Sequence, residues 1–197
     1  MKEIYKDKGS RHCYPGTNVL INKLNIKDGQ KLSKYEAKIT AVKSLALRQK
    51  GITGNFDAEH YKGIHKFLFE DIYPFAGILR DENISKGSFR FASFEYIEPE
   101  LKRLMSKLKS ENFLEGLSKE NLSKRLAYYL SELNVLHPFR EGNGRTTREF
   151  IRQLALKNGY KLNLTKVMPE EVLNASIESI VDTTHLEKIF NECLEKA

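Results

Sequence analysis

His137-Pro138-Phe139-Arg140-Glu141-Gly142-Asn143-Gly144-Arg145-Thr146-Thr147-Arg148 is the stretch from which the chain is best read. Upstream, Leu126, Tyr129, Leu130, Leu133 and Leu136 step along one face of a helix. Pro138 cannot extend that helix, because it lacks an N–H and disfavours the α region at His137. His137 is therefore expected at a helix C-terminus, projecting into the loop. Downstream, Phe150, Ile151 and Leu154 resume a helical period, so Gly142-Asn143-Gly144 should open a second helix. A helix–loop–helix with a polar, glycine-rich loop follows.

That loop is suited to anions. The first N–H groups of a helix lack intrahelical partners, and the macrodipole favours negative charge there. Glycine lets a phosphate approach the backbone without a Cβ in the way. Arg145 and Arg148 lie on neighbouring positions of the first turn and can fork to phosphate oxygens. Glu141 would set a carboxylate beside those phosphates, which requires a cation between them, and Mg²⁺ suits oxygen ligands of this kind. His137 is then the nearby group with a pKa fit for taking a hydroxyl proton. Phe139, the apolar residue inside the polar loop, is expected to anchor it to the core. These residues do not by themselves decide which phosphorus of a triphosphate is attacked.

Working outward, helical spacing recurs at Leu32, Tyr35, Ile39, Val42 and Leu45/Leu47, with Ser33 available as N-cap. Asp57 can cap a helix carrying Tyr61, Ile64, Phe67, Leu68 and Ile72. Further helical patterns cover 95–109, 120–136, 144–158, 169–180 and 183–195. The exception is 83–93, where Phe89 and Phe91 alternate with Ser88, Arg90 and Ala92 after a turn-like Lys86-Gly87. A two-stranded hairpin is marginal alone, so this segment reads as a flap lying on a helical body; an irregular helix–helix connection is the alternative. Residues 1–30 are rich in turn formers and read as an extension packed on the body, with 31–197 as the main domain.

Composition sets the outer bounds. The 197 residues are 40% hydrophobic and 30% charged with a net charge of +7, which fits one globular domain and anionic partners. The lysines are scattered, and Lys102, Arg103, Lys107 and Lys109 read as a solvated helix face, so direct nucleic-acid binding is not expected. Cys13 and Cys193 have no metal-ligand or disulfide spacing, and no apolar run is long enough to span a bilayer. A cytoplasmic protein with no membrane partner is the expectation, delivery into another cell remaining compatible. His60 and His65 lack the HExxH spacing of a zinc site, and no P-loop motif occurs.

HPFREGNGRTTR resembles the signature of the Fic family, His-x-Phe-x-(Asp/Glu)-Gly-Asn-Gly-Arg-x-x-Arg, with every position filled. Tyr14 to Leu20, Ile64 to Phe69, Tyr73 to Gly77 and the Ile84 to Phe91 flap are similar to further landmarks of that family. The resemblance implies a mainly α fold with a β-hairpin flap over the active loop. It also implies an enzyme that transfers AMP from ATP to a Ser, Thr or Tyr hydroxyl of a target protein. By that resemblance His137 is the general base, and Glu141 holds Mg²⁺ bridging the α- and β-phosphates. Gly142, Asn143 and Gly144 form the anion hole, Arg145 contacts phosphates and Arg148 holds the γ-phosphate. Lys86 and Asn134 match positions lining the nucleotide site, and the flap (Ser88, Phe89, Arg90, Phe91) docks the target as an added strand.

The resemblance to the toxin-type branch rests on Tyr14-Pro15-Gly16-Thr17-Asn18-Val19-Leu20 and on the motif with its preceding Glu-Leu-Asn-Val-Leu. It implies a separate small antitoxin protein donating an inhibitory Glu to Arg148, and type II topoisomerase B subunits as target. The chain's own Thr183 to Glu187 fits the inhibitory pattern poorly, Lys188 standing where Gly or Asn belongs. Gly144 argues against the kinase-type branch, which commonly carries Lys there. Transfer of another nucleotide or phosphate moiety, and a non-catalytic domain binding nucleotide or an acidic partner, stay as alternatives.

Overall fold

The computed structural model describes residues 10–52 and 54–197. Seven α-helices run α1 (Gly29–Lys50), α2 (Ala58–Phe69), α3 (Ile97–Ser110), α4 (Lys119–Leu136), α5 (Asn143–Lys157), α6 (Pro169–Glu178) and α7 (Thr184–Cys193). Three short 3-10 turns and two antiparallel strand pairs accompany them among the described residues. The first, β1 (Ser85–Lys86) with β2 (Phe89–Arg90), pairs Ser85 with Arg90 and Lys86 with Phe89. The second, β3 (Tyr160–Leu162) with β4 (Leu194–Lys196), ties the end of the chain to the α5 exit. The architecture is mainly α with a small hairpin.

Helix α4 is the axle. Leu122, Leu126, Ala127, Tyr129, Leu130, Leu133 and Leu136 are all buried, more of its circumference than a single stripe would need. Helices α3, α5, α6 and α7 pack around it, and α2 closes the far side of α5 against α1. Ser118 caps α4 by accepting from the Asn121 N–H, and Asp57 caps α2 by accepting from the His60 N–H at 2.8 Å. The same packing fixes where α4 stops and α5 starts, and hence the loop between them.

Helix α1 departs from its apolar spacing. Tyr35, Val42 and Leu45 face solvent, at 49%, 70% and 57% exposure, while Glu36 and Thr40 are buried beside Leu32 and Leu47. The polar stripe turns inward because it has partners: Glu36 accepts from Arg145 at 2.6 Å and from the Tyr73 hydroxyl. The cap is Asp28, accepting from the Gln30 and Lys31 N–H groups, and not Ser33. Helix α7 likewise ends at Cys193, where the chain passes into β4.

Of the turn-rich extension, residues 1–9 lie outside the described residues. Beyond them, Cys13 and Leu20 are buried and bridge each other, and the Lys23 N–H donates to Ile72 O at 2.8 Å. No helix of the described residues is long and apolar enough to cross a membrane.

Candidate active site

Helix α4 terminates at His137, whose backbone is left-handed (φ 47, ψ 62) and whose N–H donates to Leu133 O. His137 stands at the helix C-terminus as the sequence predicts, in the left-handed C-cap that helices usually give to glycine. A β-carbon there costs on the order of 1 kcal/mol, and the surroundings hold it. Arg80, itself buried, donates through Nε to His137 O at 2.8 Å and through Nη2 to Leu136 O at 3.2 Å. Its backbone N–H donates to Pro138 O at 2.9 Å.

The imidazole is placed as firmly as its backbone. Nδ1–H donates to Asn134 O at 3.2 Å, leaving the lone pair on Nε2, and Phe91 stacks on the ring at 3.8 Å between centroids. Burial, opposed only in part by the Asn134 hydrogen bond, lowers the pKa of His137 to about 3. The ring is neutral near pH 7, the state required of a proton acceptor.

The loop is closed by two devices. Phe139 is fully buried in a stack between His65, at 3.7 Å, and Tyr61, at 5.5 Å. Asn143 clamps the turn, its Oδ1 accepting from the Phe139 N–H at 2.8 Å and its Nδ2 donating to Phe139 O at 2.7 Å. The Asn143 side chain is thus spent inside the loop, and only its backbone N–H is available to an anion. Gly142, at φ 81, caps α5, and a Cβ there would lie 2.3 Å from Cζ of Phe69. No other residue fits that position.

His65 is a further contributor whose spacing gave no sign of it. Its Nδ1 accepts from the Gly77 N–H at 2.8 Å, which puts the proton on Nε2 and lets it donate to Glu141 O at 2.9 Å. Burial lowers its pKa to about 4. The Glu141 carboxylate accepts from the Gly142 N–H at 2.9 Å and from Arg145 at 3.4 Å.

The two arginines stand in different environments. Arg145 lies over the Phe69 ring and is bound by Glu36 at 2.6 Å and Thr40 Oγ1 at 3.2 Å, besides Glu141. Its charge is largely compensated. Arg148, whose Nη1 lies against Gly144, makes no hydrogen bond or ion pair with any described residue. Burial, reinforced by Arg145, lowers its pKa. A guanidinium left without a counter-charge in a cleft is suited to an anion.

One cleft of about 520 Å³ gathers His137, Glu141, Gly142, Asn143, Gly144, Arg145 and Arg148 with Lys86, Asn134, Phe89 and Phe91. Leu130, Leu173, Ile177 and Ile180 form its apolar wall. Asn134 is fixed by donating to Ser176 O at 3.1 Å. In the flap, Lys86 belongs to β1 and the turn is Gly87-Ser88, one residue later than the sequence suggests. Ser88 and Arg90 are exposed, outside the cleft lining, and Phe91 lies just past β2. Glu187 accepts from Thr183 Oγ1 at 2.6 Å, at the start of α7, and does not line the cleft.

Residues 55–155 match the Fic/DOC family. The chain is 43% identical over 183 residues to the protein adenylyltransferase VbhT of Bartonella schoenbuchensis, covering 92% of this chain and 38% of that one. It is 34% identical to the "Probable protein adenylyltransferase Fic" of Escherichia coli K12, covering 100% of this chain and 98% of the relative. Among solved structures, the N-terminal Fic domain of a VirB-translocated Bep effector of Bartonella quintana, with bound ADP, superposes with a TM-score of 0.86. Identity there is 30%, with 94% of each chain covered.

Proposed function

The chain belongs to the Fic/DOC family, and on that premise we propose that it is a protein adenylyltransferase. It moves AMP from ATP to a Ser, Thr or Tyr hydroxyl of another protein and releases diphosphate. The observation that carries this reading is Arg148, uncompensated among the described residues and sharing one cleft with a neutral His137 and with Glu141. A domain that only bound an anion would need the arginine but not the base.

The triphosphate lies across the N-terminus of α5, its oxygens meeting the backbone N–H groups of Asn143 and Gly144 and the guanidinium of Arg148. Lys86 and Asn134 border the same space from the flap and from α4. Arg145, held by Glu36, contributes mainly by fixing the Glu141 carboxylate. Glu141 is the one carboxylate among the described cleft-lining residues, and no cluster of three metal-ligating side chains occurs among the described residues. That donor set fits Mg²⁺, which binds through one or two carboxylates plus substrate phosphates. When bound, the ion neutralises phosphate charge.

His137 Nε2 takes the proton from the target hydroxyl as its oxygen bonds to the α-phosphorus. The bond from that phosphorus to the bridging oxygen breaks, and the electron pair leaves with diphosphate. A triphosphate brings negative charge that raises the His137 pKa from about 3 toward the range useful for proton transfer. The hairpin presents Ser88, Phe89, Arg90 and Phe91 to the target, whose segment adds as a strand. Regulation by a small antitoxin donating a Glu to Arg148, type II topoisomerase B subunits as target, and a cytoplasmic site of action complete the proposal.

The test is to incubate the protein and Mg²⁺ with ATP labelled at the α or the γ position in a bacterial lysate. Label from α alone on a protein band, with a mass increase equal to AMP, is the expected result. Label from γ, or none from either, overturns the assignment.

A further inference from the structure

Between α2 and the flap, residues 77–82 reach the motif loop directly through Arg80 and Glu82 and indirectly through Gly77. The Gly77 N–H fixes His65, which in turn holds Glu141 O. The Arg80 N–H bonds Pro138 O, and its guanidinium bonds Leu136 O and His137 O. Glu82 accepts from Arg140, a buried guanidinium, at 2.5 Å. The same Arg80 guanidinium reaches the other way, donating to Ala92 O at 2.5 Å where the chain leaves the flap, and to Glu82 O at 2.7 Å where it enters. The Ala92 N–H closes the circuit by donating to Val135 O at 3.2 Å.

We propose that Arg80 is a positioning residue that locks the target-docking flap and the His137-bearing helix end into one rigid unit. Its planar fork has five donors in fixed directions, and it spends them on carbonyls from three separate segments. Lysine, with three donors on a flexible stem and no plane, cannot span those carbonyls together. The consequence is functional. A target strand added to the flap has its hydroxyl placed relative to His137 only if flap and helix end share a frame, and displacement of about 1 Å can cost about 100-fold in rate. His65 performs the matching task on the other side of the loop, for Glu141.

The kinetic part of this inference rests on the adenylyltransferase reading; the exchange part does not. Arg80→Lys and Arg80→Gln in the full chain, checked for fold by thermal melts, are compared with wild type in three measurements. ATP binding should keep full stoichiometry and near-native affinity. The kcat for AMP transfer should fall by about 100-fold, with a rise in KM for the target. Amide hydrogen exchange should quicken together across 84–92 and 136–141. Quickening in the flap alone, or kcat and KM near wild type in a folded variant, sinks the proposal. So does a loss of kcat that merely matches lost ATP stoichiometry. Should neither variant fold, wild type decides: the Arg80, Ala92 and His137 amides must share one opening free energy, and separate values reject the unit. Absence of label transfer by wild type would remove the adenylyltransferase reading and leave the exchange result standing.

Discussion

The loop from His137 to Arg145 and the flap from Ser85 to Arg90 face each other across the same cleft, yet they are specified very differently. In the loop, Phe139 is buried in a ring stack, Asn143 is doubly bonded within the turn, and Gly142 sits against Phe69 with no room for a methyl. The flap has two residue pairs, an open turn at Gly87-Ser88, and outward-facing Ser88 and Arg90. A group that must abstract a proton tolerates little displacement. An edge that accepts another protein's backbone gains from unspent hydrogen-bonding groups and tolerance at the tip. Rigidity sits where bonds change, and adaptability where a partner docks.

The largest effect separating the two regions should come from His137→Ala. Loss of the base should lower AMP transfer by about 1000-fold while ATP binding, measured by calorimetry, stays close to wild type. The imidazole also bonds Asn134 O and stacks on Phe91, so a thermal melt of the variant separates loss of the base from loss of packing. Full transfer by this variant removes the base assignment and with it the contrast.

Two glycines compare the regions directly. Gly142→Ala combines a left-handed backbone with a Cβ 2.3 Å from Phe69, and should cost about 2 to 4 kcal/mol. Gly87, at φ 61, has nothing within 4 Å of where a Cβ would stand. Gly87→Ala should cost only the backbone term, about 1 kcal/mol. Denaturant melts of both variants check the difference, and equal costs would mean that the flap is packed as tightly as the loop.

Much of this was readable beforehand. The helix–loop–helix around 137–148 follows from the proline stop, the glycine opening and apolar spacing on both sides, all local signals. Phe89 and Phe91 alternate strongly enough to mark the hairpin. What escaped was set by tertiary pairing. Helix α1 has two stripes of similar spacing, and the polar one was buried because Arg145 and Tyr73 lie more than 30 residues away to receive Glu36. Arg80 and His65 act through backbone carbonyls, which carry no sequence label. A lone Arg after Ala76-Gly77-Ile78-Leu79, or a His within a helix, gives no local cue to such a role.

Acid should expose His65. Its pKa falls from 6.5 in the unfolded chain to about 4 in the fold, where burial favours the neutral ring. A depressed histidine pKa adds stability that is fully present above pH 6.5 and lost as pH falls toward 4, because the unfolded chain takes up the proton first. The loss is on the order of 3 kcal/mol. A His65→Gln variant, which keeps a donor for Glu141 O, should be less stable at pH 7 and show a flatter melting profile between those limits. An unchanged slope would place the acid sensitivity elsewhere, with His137 the next group to test.

The smallest effect should come at the flap's tip, where the contrast can be read without disturbing the loop. Ser88 is exposed and makes no contact with the cleft, so Ser88→Ala should shift stability by no more than about 0.5 kcal/mol. Ser88→Pro leaves the loop equally untouched but removes the backbone N–H that an added strand would need and disturbs the turn. It should therefore raise KM for the protein target while ATP affinity holds. Equal behaviour of the two substitutions in target titrations would mean that the tip's backbone takes no part in docking. Recognition would then belong to Phe89 and Phe91, whose rings already border the cleft, and the flap would serve as a wall and not as an edge.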